Sequence, residues 1–517
     1  MDSPRTPAET EDSLAAELRT VRPALLSPYA AELPGARGAV LTRLWRGLAH
    51  EPLPWVTHRE ARNGALTLRL ADGRRLHGPR PDPYATAGTV TEIELDGTVY
   101  DHPAALMTAL GFPHARPFAV ELAHSAASLA LSRAGQDPPG DPRVLWEWEQ
   151  RVVDGHPFHP NCRSRPGFSV AEQLAYAPEH RPVVGLGMAP VREEDCRSTG
   201  TWPYRERGRV LIPVHPWQAR HVLKDAQPVG DGMAAHPLMS LRTLAVPGGP
   251  HLKTALSARL TSSVRDISAY SITSAATVSA FMESMTGHLD GLLHITRTLG
   301  AVTAGSPDLA AVSRESPDLY AGAGERVVPA AALAADVRPQ SPAWLAEFSR
   351  LALGVGLRLL DLGVALEAHG QNLLVVLSSV GAPVRLVYRD LADIRVSPAR
   401  LARHGIAVPE LTGRIVTDDE SVLRGKLFGS LVAGTLAATA GSATALHGAL
   451  STAVRDLPRT PDLTALLRQP LPAKALTLMR LSPGRPGDIW TRLPNPLAGP
   501  HGPSAVLSAG PSGGRSF

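Results

Sequence analysis

The sequence predicts an α+β protein. Three observations carry this. Helical and strand-like stretches fall in separate blocks instead of alternating strictly, which is the pattern of segregated layers. The clearest helical run, Ser341–Glu367, leads straight into a polar loop and then two apolar strands. Hydrophobic residues make up 44% and charged residues 19%, so a large core can form and disorder of the whole chain is excluded.

At 517 residues the chain is long enough for about three structural units. Residues 1–12 read as a disordered N-terminus and 499–517 as a disordered tail. Between 13 and 144, helical runs at Ala39–Leu48 and Phe118–Ala134 flank a strand-rich part, Leu66–Leu76 and Val90–Val99. There Asp96-Gly97-Thr98 marks a hairpin turn. From about 145, short apolar strands alternate with Pro- and Gly-rich loops that carry His and Arg. Helical texture is expected from about 274 to 367. In its last helix Ser341 is the N-cap, Pro342 fits the first turn, and Trp344, Phe348, Leu351, Leu359 and Leu362 recur at helical spacing. The strands Leu373–Leu377 and Val384–Tyr388 follow, joined by SSVGAP. The remainder to about 480 reads as helical.

Several function classes drop out. The net charge of +4 is spread thinly, with no basic stripe or motif for nucleic acid. Lysine occurs only at 224, 253, 426 and 474 among 52 basic residues, which we read as coding bias. Two cysteines make neither a disulfide framework nor a four-thiolate zinc site. The polar start MDSPRTPAETEDS is no secretory signal. Leu427–Leu450 lacks charge, but its Gly, Ala, Ser and Thr content suggests a packed helix or helix pair instead of a membrane span. A cytoplasmic protein is expected. GxxxxGK[ST] and HExxH are absent, and GPSGG at 510–514 mimics a hydrolase elbow without the preceding strand.

Three segments concentrate chemistry. In Asp154–Phe168 (DGHPFHPNCRSRPGF), prolines hold His156 and His159 on an extended loop, and Arg163 and Arg165 suit a phosphate or carboxylate. A Pro-rich loop with structural His would look the same. In Lys253–Arg265 (KTALSARLTSSVR), a strand ends in Thr261, Ser262, Ser263 and Arg265, donors that suit a polyphosphate; a strand followed by a Ser-rich cap is the plainer reading. In the third, the long helix runs into Glu367-Ala368-His369-Gly370-Gln371-Asn372, and the following hairpin ends in Tyr388-Arg389-Asp390. A hairpin returns Asp390 close to Asn372, and such a carboxamide–carboxylate pair can hold Mg²⁺ on nucleotide phosphates, as in kinases. Alternatively, Glu367 and His369 cap the helix and Asp390 pairs with Arg389 or Arg395.

These segments resemble the IucA/IucC family, the NRPS-independent siderophore synthetases. GHPFHPNCRSRPGF is similar to the family's GHPxHPxxKxRxG signature. IPVHPWQ (212–218), LTSSVR (260–265), EAHGQN (367–372), YRD (388–390), AKALTLMRL (473–481) and LPNPLA (493–498) follow in the family's order. Seven motifs in sequence over roughly 145–500 make the resemblance specific. Arg163 stands where Lys is usual, and Asp266 where Thr is common.

The resemblance implies a cupped, hand-like fold, with a thumb at 13–144, fingers at 145–300 and a palm at 301–498. The kinase-like helix–loop–hairpin would lie at the nucleotide site. It implies an ATP- and Mg²⁺-dependent ligase that adenylates a carboxylic acid and passes the acyl group to an amine, hydroxylamine or alcohol. By motif position, His159, Arg265 and His369 are the expected catalytic residues. Ser263, Arg265, His369, Gln371, Asn372 and Asp390 would bind ATP. Glu367, Asn372 and Asp390 would hold the metal, and His156, Arg163 and Arg165 the substrate. Partners would be small molecules only, and dimers are common in the family. Other natural-product ligation, phosphoryl transfer and a non-catalytic ligand-binding role remain as alternatives. No iron-reductase-like extension is expected, because the tail has too few cysteines.

Overall fold

The computed structural model describes residues 6–136, 140–224, 229–260, 263–335, 341–485 and 487–498. It is 43% helix and 22% strand, held in separate layers, which is the α+β class.

The N-terminal part begins with the helix Pro7–Val21, so residues 7–12 are ordered, contrary to the sequence expectation. The reason is legible afterwards. Thr6 accepts from the Glu9 backbone N–H while Glu9 reaches back to the Thr6 backbone, a complete capping box with Pro7 in the first turn. This helix packs with Leu26–His50, Pro103–Leu110 and Ala115–Ala134 against a five-stranded antiparallel sheet. The sheet's last hairpin turns at Asp96-Gly97, as expected. Leu41, Leu44, Trp45, Leu68, Leu76 and Phe118 fill its core.

Glu11 pins the first helix. It accepts from Arg37 Nε at 2.9 Å and from Arg37 Nη2, and lies 3.2 Å from His102 Nε2. Burial alone would raise its pKa, but Arg37 and His102 outweigh burial and bring it from 4.5 to about 2. A depressed carboxylate contributes stability above its unfolded pKa. That contribution, roughly 3 kcal/mol, should vanish as pH falls from about 5 towards 2. Acid unfolding of Glu11→Gln should therefore be flatter than wild type in that window.

A nine-stranded sheet forms the middle of the chain. Its spatial order is Arg197–Gly200, Thr298–Thr303, Ala310–Arg314, His251–Thr254, Thr243–Ala245, Val229–Pro237, Val184–Arg192, Arg209–Val214 and Arg205–Glu206. A four-stranded sheet lies beyond, in the order Leu293–Ile295, Pro383–Tyr388, Leu373–Leu377 and Arg326–Pro329. Residues 293–329 thus hold strands where helical texture was expected. Leu293–Ile295 runs parallel to Pro383–Tyr388, buried beneath the helix Ala275–Thr286. At three residues, Leu293–Ile295 is too short for its alternation to mark a strand in sequence.

The helix Pro342–Leu362 ends five residues earlier than expected. Gly363 takes φ 115°, a left-handed stop, and Val364–Ala365 then pairs with Arg395–Val396. The uncharged stretch 427–450 is a helix pair, Glu420–Ala440 and Ala443–Asp456, bent by 117°. Among the described residues no single helix is long and apolar enough to cross a membrane. The two free cysteines are half-buried.

Candidate functional site

The site is built where the chain leaving the four-stranded sheet meets the nine-stranded one. The hairpin strand Pro383–Tyr388 delivers the chain to Asp390, whose φ of 67° is left-handed, a conformation Asp tolerates better than most residues. This kink carries the carboxylate to the nine-stranded sheet. Lys253 Nζ donates to both Asp390 oxygens at 2.8 Å, and Arg314 Nη1 lies 3.7 Å away. His251 pairs with Arg314 across adjacent strands, so His251, Lys253 and Arg314 share a face by the period of two. Burial would raise the Asp390 pKa, but Lys253 and Arg314 hold it far below the usual carboxylate range. Burial pulls Lys253 down to about 8 against the pull of Asp390, so it remains cationic at neutral pH.

The polar loop lies beside this cluster. Asn372 is buried, and its N–H donates to the His369 carbonyl at 2.8 Å, closing a turn. The Arg389 N–H donates to the Asn372 carbonyl at 3.0 Å, and Arg389 Nε to the Gln371 carbonyl at 2.9 Å. The hairpin therefore brings Asn372 next to Asp390 in the way the spacing suggested. Gly370 is required because a Cβ there would lie 3.0 Å from the Ala331 nitrogen.

Glu367 follows a different plan from the metal ligand expected of it. Lys426 Nζ lies 3.0 Å and Lys474 Nζ 3.2 Å from its Oε1, and His369 Nε2 is 4.0 Å from Oε2. These positive neighbours overcome burial and bring its pKa to about 2. Both lysines would have to leave its Oε1 before Mg²⁺ could bind there, whereas at Asp390 the one close partner to displace is Lys253. Among the described residues no three His, Cys, Asp or Glu side chains gather into a metal cage. Mg²⁺ on a triphosphate needs only one or two protein carboxylates, however, and Asp390 with Asn372 beside it suits that smaller demand.

The His-Pro loop lies within electrostatic reach of His369, Lys474, Arg480 and Arg265. His156 and His159 stand edge to face with ring centroids 6.2 Å apart. His159 is buried, and neither ring nitrogen has a protein partner. Burial lowers its pKa well below the usual value, helped by the charges of His156, Arg480 and Arg265. His156 is more accessible, yet enclosure and the charges of His369, Arg43, Arg46 and Lys474 pull it to about 3. His369 is lowered too, chiefly by burial, against the opposing charge of Glu367. Three imidazoles are thus kept neutral inside a ring of cations. Arg265 is half-buried at the end of the strand Ser263–Arg265 and feels Asp390, Glu367 and Asp393, although burial is the larger influence and lowers its pKa. Arg242 Nη1 donates to the carbonyls of Arg265 and Asp266 at 2.6 and 2.7 Å. Thr261 and Ser262 lie outside the described residues, and of Ser263 only the backbone is described.

Arg163 and Arg165 are a correction. Both are buried away from the recess around Glu179. Arg165 Nη2 lies 2.6 Å from Glu179 Oε1, and Arg163 Nη1 3.4 Å from Oε2. Arg163 Nε and Nη2 also donate to the carbonyls of Val152 and Val153. Burial would raise the Glu179 pKa, but the two guanidinium groups drive it far down. These arginines brace the loop that carries the histidines, and most of their donors are spent internally, Arg165 Nη1 alone being buried without a partner.

Sequence reasoning passed over Arg242, Lys253, Arg314, Lys426, Lys474 and Arg480 as individual residues. A signal existed for three of them. In a chain with four lysines, three surround the carboxylates Asp390 and Glu367.

Comparison with known proteins bears on the family and the fold. The IucA / IucC family model matches residues 145–335. The likeness to the IucA/IucC family is carried by those residues. A second model, described as a ferric iron reductase FhuF-like transporter, matches residues 342–489. That likeness starts at the long helix, takes in the loop and hairpin and runs on through the helices that follow, where the sequence had led us to expect no iron-reductase-like part; both cysteines precede it. Among curated IucA/IucC-like relatives, the chain is 26% identical over 314 residues to the citryl-spermidine/3,4-dihydroxybenzoyl-citryl-spermidine:spermidine ligase of Bacillus anthracis, covering 48% of this chain and 51% of that protein. It is 30% identical over 157 residues to the N(2)-citryl-N(6)-acetyl-N(6)-hydroxylysine synthase of Vibrio mimicus, 23% of this chain and 26% of that one. The chain spans about half the length of the first curated relative that it matches. The fold is shared more widely. The petrobactin biosynthesis protein AsbB of Bacillus anthracis superposes with a TM-score of 0.76 at 18% identity, over 92% of this chain and 98% of that one. ATP-bound aerobactin synthetase IucA of Klebsiella pneumoniae gives 0.71 at 18%, over 89% and 99%.

Proposed function

We propose that this protein is an ATP-dependent carboxylate–amine ligase of siderophore assembly. It adenylates a citrate-like polycarboxylate or another dicarboxylic acid derivative, releases pyrophosphate, and passes the acyl group to an amine, hydroxylamine or alcohol with loss of AMP. The observation that carries the reading is the meeting of Lys253, Arg242, Arg314 and Arg265 around Asp390, with neutral histidines opposite. The names of the relatives, citrate ligases and synthases, support the choice of acid.

Each group has a task. A free carboxylate resists attack because its leaving group is poor, and adenylation replaces that group with AMP. Negative charge then gathers around the α-phosphate. Arg265 and the neutral ring of His159 face it in a recess of low dielectric, where one such donor is worth roughly 3–4 kcal/mol. His369, Gln371 and Asn372 line the nucleotide's path. Mg²⁺ would be held by Asp390 and Asn372 and would neutralise phosphate charge, Lys253 giving up its place on the carboxylate. Of the neutral imidazoles, His369, beside Glu367, is available to take the proton that the attacking ammonium must lose. The need for ATP places the protein in the cytoplasm.

Product analysis tests the proposal. With ATP, Mg²⁺, citrate and a panel of diamines and hydroxylamines, AMP and pyrophosphate should appear in step with the amide or ester. ADP in place of AMP would make the protein a phosphotransferase. ATP binding without turnover on a broad acid panel would make it a non-catalytic homologue.

A further inference from the structure

Residues Phe428–Leu436 are wound as a π-helix, continuous with Glu420–Leu427 before it and Ala437–Ala440 after it. Such winding is rare beyond a single turn and concentrates at functional sites. Here it places three side chains on three consecutive residues. Lys426 Nζ contacts Glu367 at 3.0 Å, Ser430 Oγ lies 3.3 Å from the Leu366 carbonyl, and Thr435 Oγ1 donates to the Ala368 carbonyl at 2.7 Å in a buried contact. The Ser430 proton is shared with the Lys426 carbonyl at 2.7 Å, so Thr435 makes the stronger bond to the loop.

The winding explains how one helix reaches all three. At about 100° per residue, Thr435 would lie on the opposite side of an α-helix from Lys426. A π-helix turns only roughly 80° per residue, which brings Thr435 back to the same side and stacks it one turn above Ser430. The α spacing would instead put Gly434 above Ser430, with no hydroxyl to offer. Leu366 and Ala368 flank Glu367, so the two hydroxyl contacts bracket the residue that Lys426 holds. The helix is held from behind as well. A Cβ at Gly429 would stand 2.6 Å from the Trp490 ring, and Trp490 pairs with Lys474 across the hairpin Leu471–Leu493.

We propose that the π-helix is a positioning element for the loop that presents Glu367, His369 and Asn372, with Thr435 as the residue that fixes its height. This rests on reading that loop as the nucleotide site. Thr435 touches neither substrate nor reacting atom; it acts through Ala368.

The test compares ATP affinity by calorimetry and ATP-dependent AMP release in wild type, Thr435→Val, Thr435→Ser and Thr439→Val. Thr439 donates to the Thr435 carbonyl one turn on and serves as the control. Thr435→Val should weaken ATP binding about tenfold, with the KM for the acid changed much less. Thr435→Ser should restore it to within about twofold, and Thr439→Val should match wild type. If valine prevents folding, Thr435→Ala carries the same comparison with serine. Wild-type ATP affinity in the valine or alanine variant, or equal losses in serine and valine, overturns the proposal. Wild type that binds no ATP overturns the reading of the loop itself, and so separates the two failures.

Discussion

Asp390→Asn should reduce ATP-dependent AMP release by about 10²–10³-fold, because the carboxylate organises the whole cationic side of the recess. Lys253 and Arg314 face it from the nine-stranded sheet at 2.8 and 3.7 Å. Asparagine keeps the shape and removes the charge, so those cations would then repel one another. Breaking a fully buried pair typically costs about 3–5 kcal/mol, but the Asp390 side chain is 32% exposed, so solvent should cut the loss in stability to roughly 1–2 kcal/mol. The variant should also acquire a pH dependence. Lys253 already titrates near 8, and without Asp390 it should lose its proton lower still, relieving the repulsion as pH rises towards neutrality. A double variant, Asp390→Asn with Lys253→Met, should regain stability and remain inactive. Recovery of activity in that double variant would show that the carboxylate serves only to neutralise its lysine.

Glu179→Gln should destabilise the protein by about 3–5 kcal/mol, the largest effect on stability expected outside the apolar core. Its carboxylate is fully buried and serves Arg163, Arg165 and the Ser132 hydroxyl, which donates at 2.7 Å. Glutamine leaves two buried guanidinium groups without a counter-charge. Denaturant unfolding followed by tryptophan fluorescence would read the loss, since Trp148 and Trp217 lie near the His-Pro loop and the sheet behind it. In the surviving folded fraction the KM for the acid should change little. A large rise in that KM with unchanged stability would return Arg163 and Arg165 to the substrate.

The elements of this protein were legible in sequence to unequal degrees. The hairpin after the long helix could be placed because two apolar strands flank an obvious turn, and its register sets Asn372 against Arg389. The helix end at Gly363 was missed because Val364 and Ala365 continue an apolar run, and only the pairing with Arg395–Val396 shows them as strand. The Arg163 and Arg165 pair was misjudged for a different reason. A motif shows which residues lie together, but not which way each side chain turns. Their partner, Glu179, lies outside the motif and is one acidic residue among many. Lys253, Lys426 and Lys474 come from strand, helix and hairpin far apart in the chain, so no local pattern joins them. Their rarity was the available clue, and we read it as coding bias.

The hairpin Leu471–Leu493 contributes Lys474 and, on its connecting helix, Arg480 to the recess. That helix also buries Leu478 and Leu481 in the N-terminal core, and Glu51 accepts from the Thr477 and Leu478 amides at 3.0 and 2.6 Å. During synthesis, therefore, the N-terminal helices wait for residues made 426 positions later. A ribosome-tethered chain stopped short of this hairpin would carry most of the nucleotide loop yet lack both cations, and its first helical layer would keep an open apolar seam. Catalytic competence should thus arise only once this hairpin has been made, and the unfinished seam is where a nascent-chain chaperone would be expected to bind.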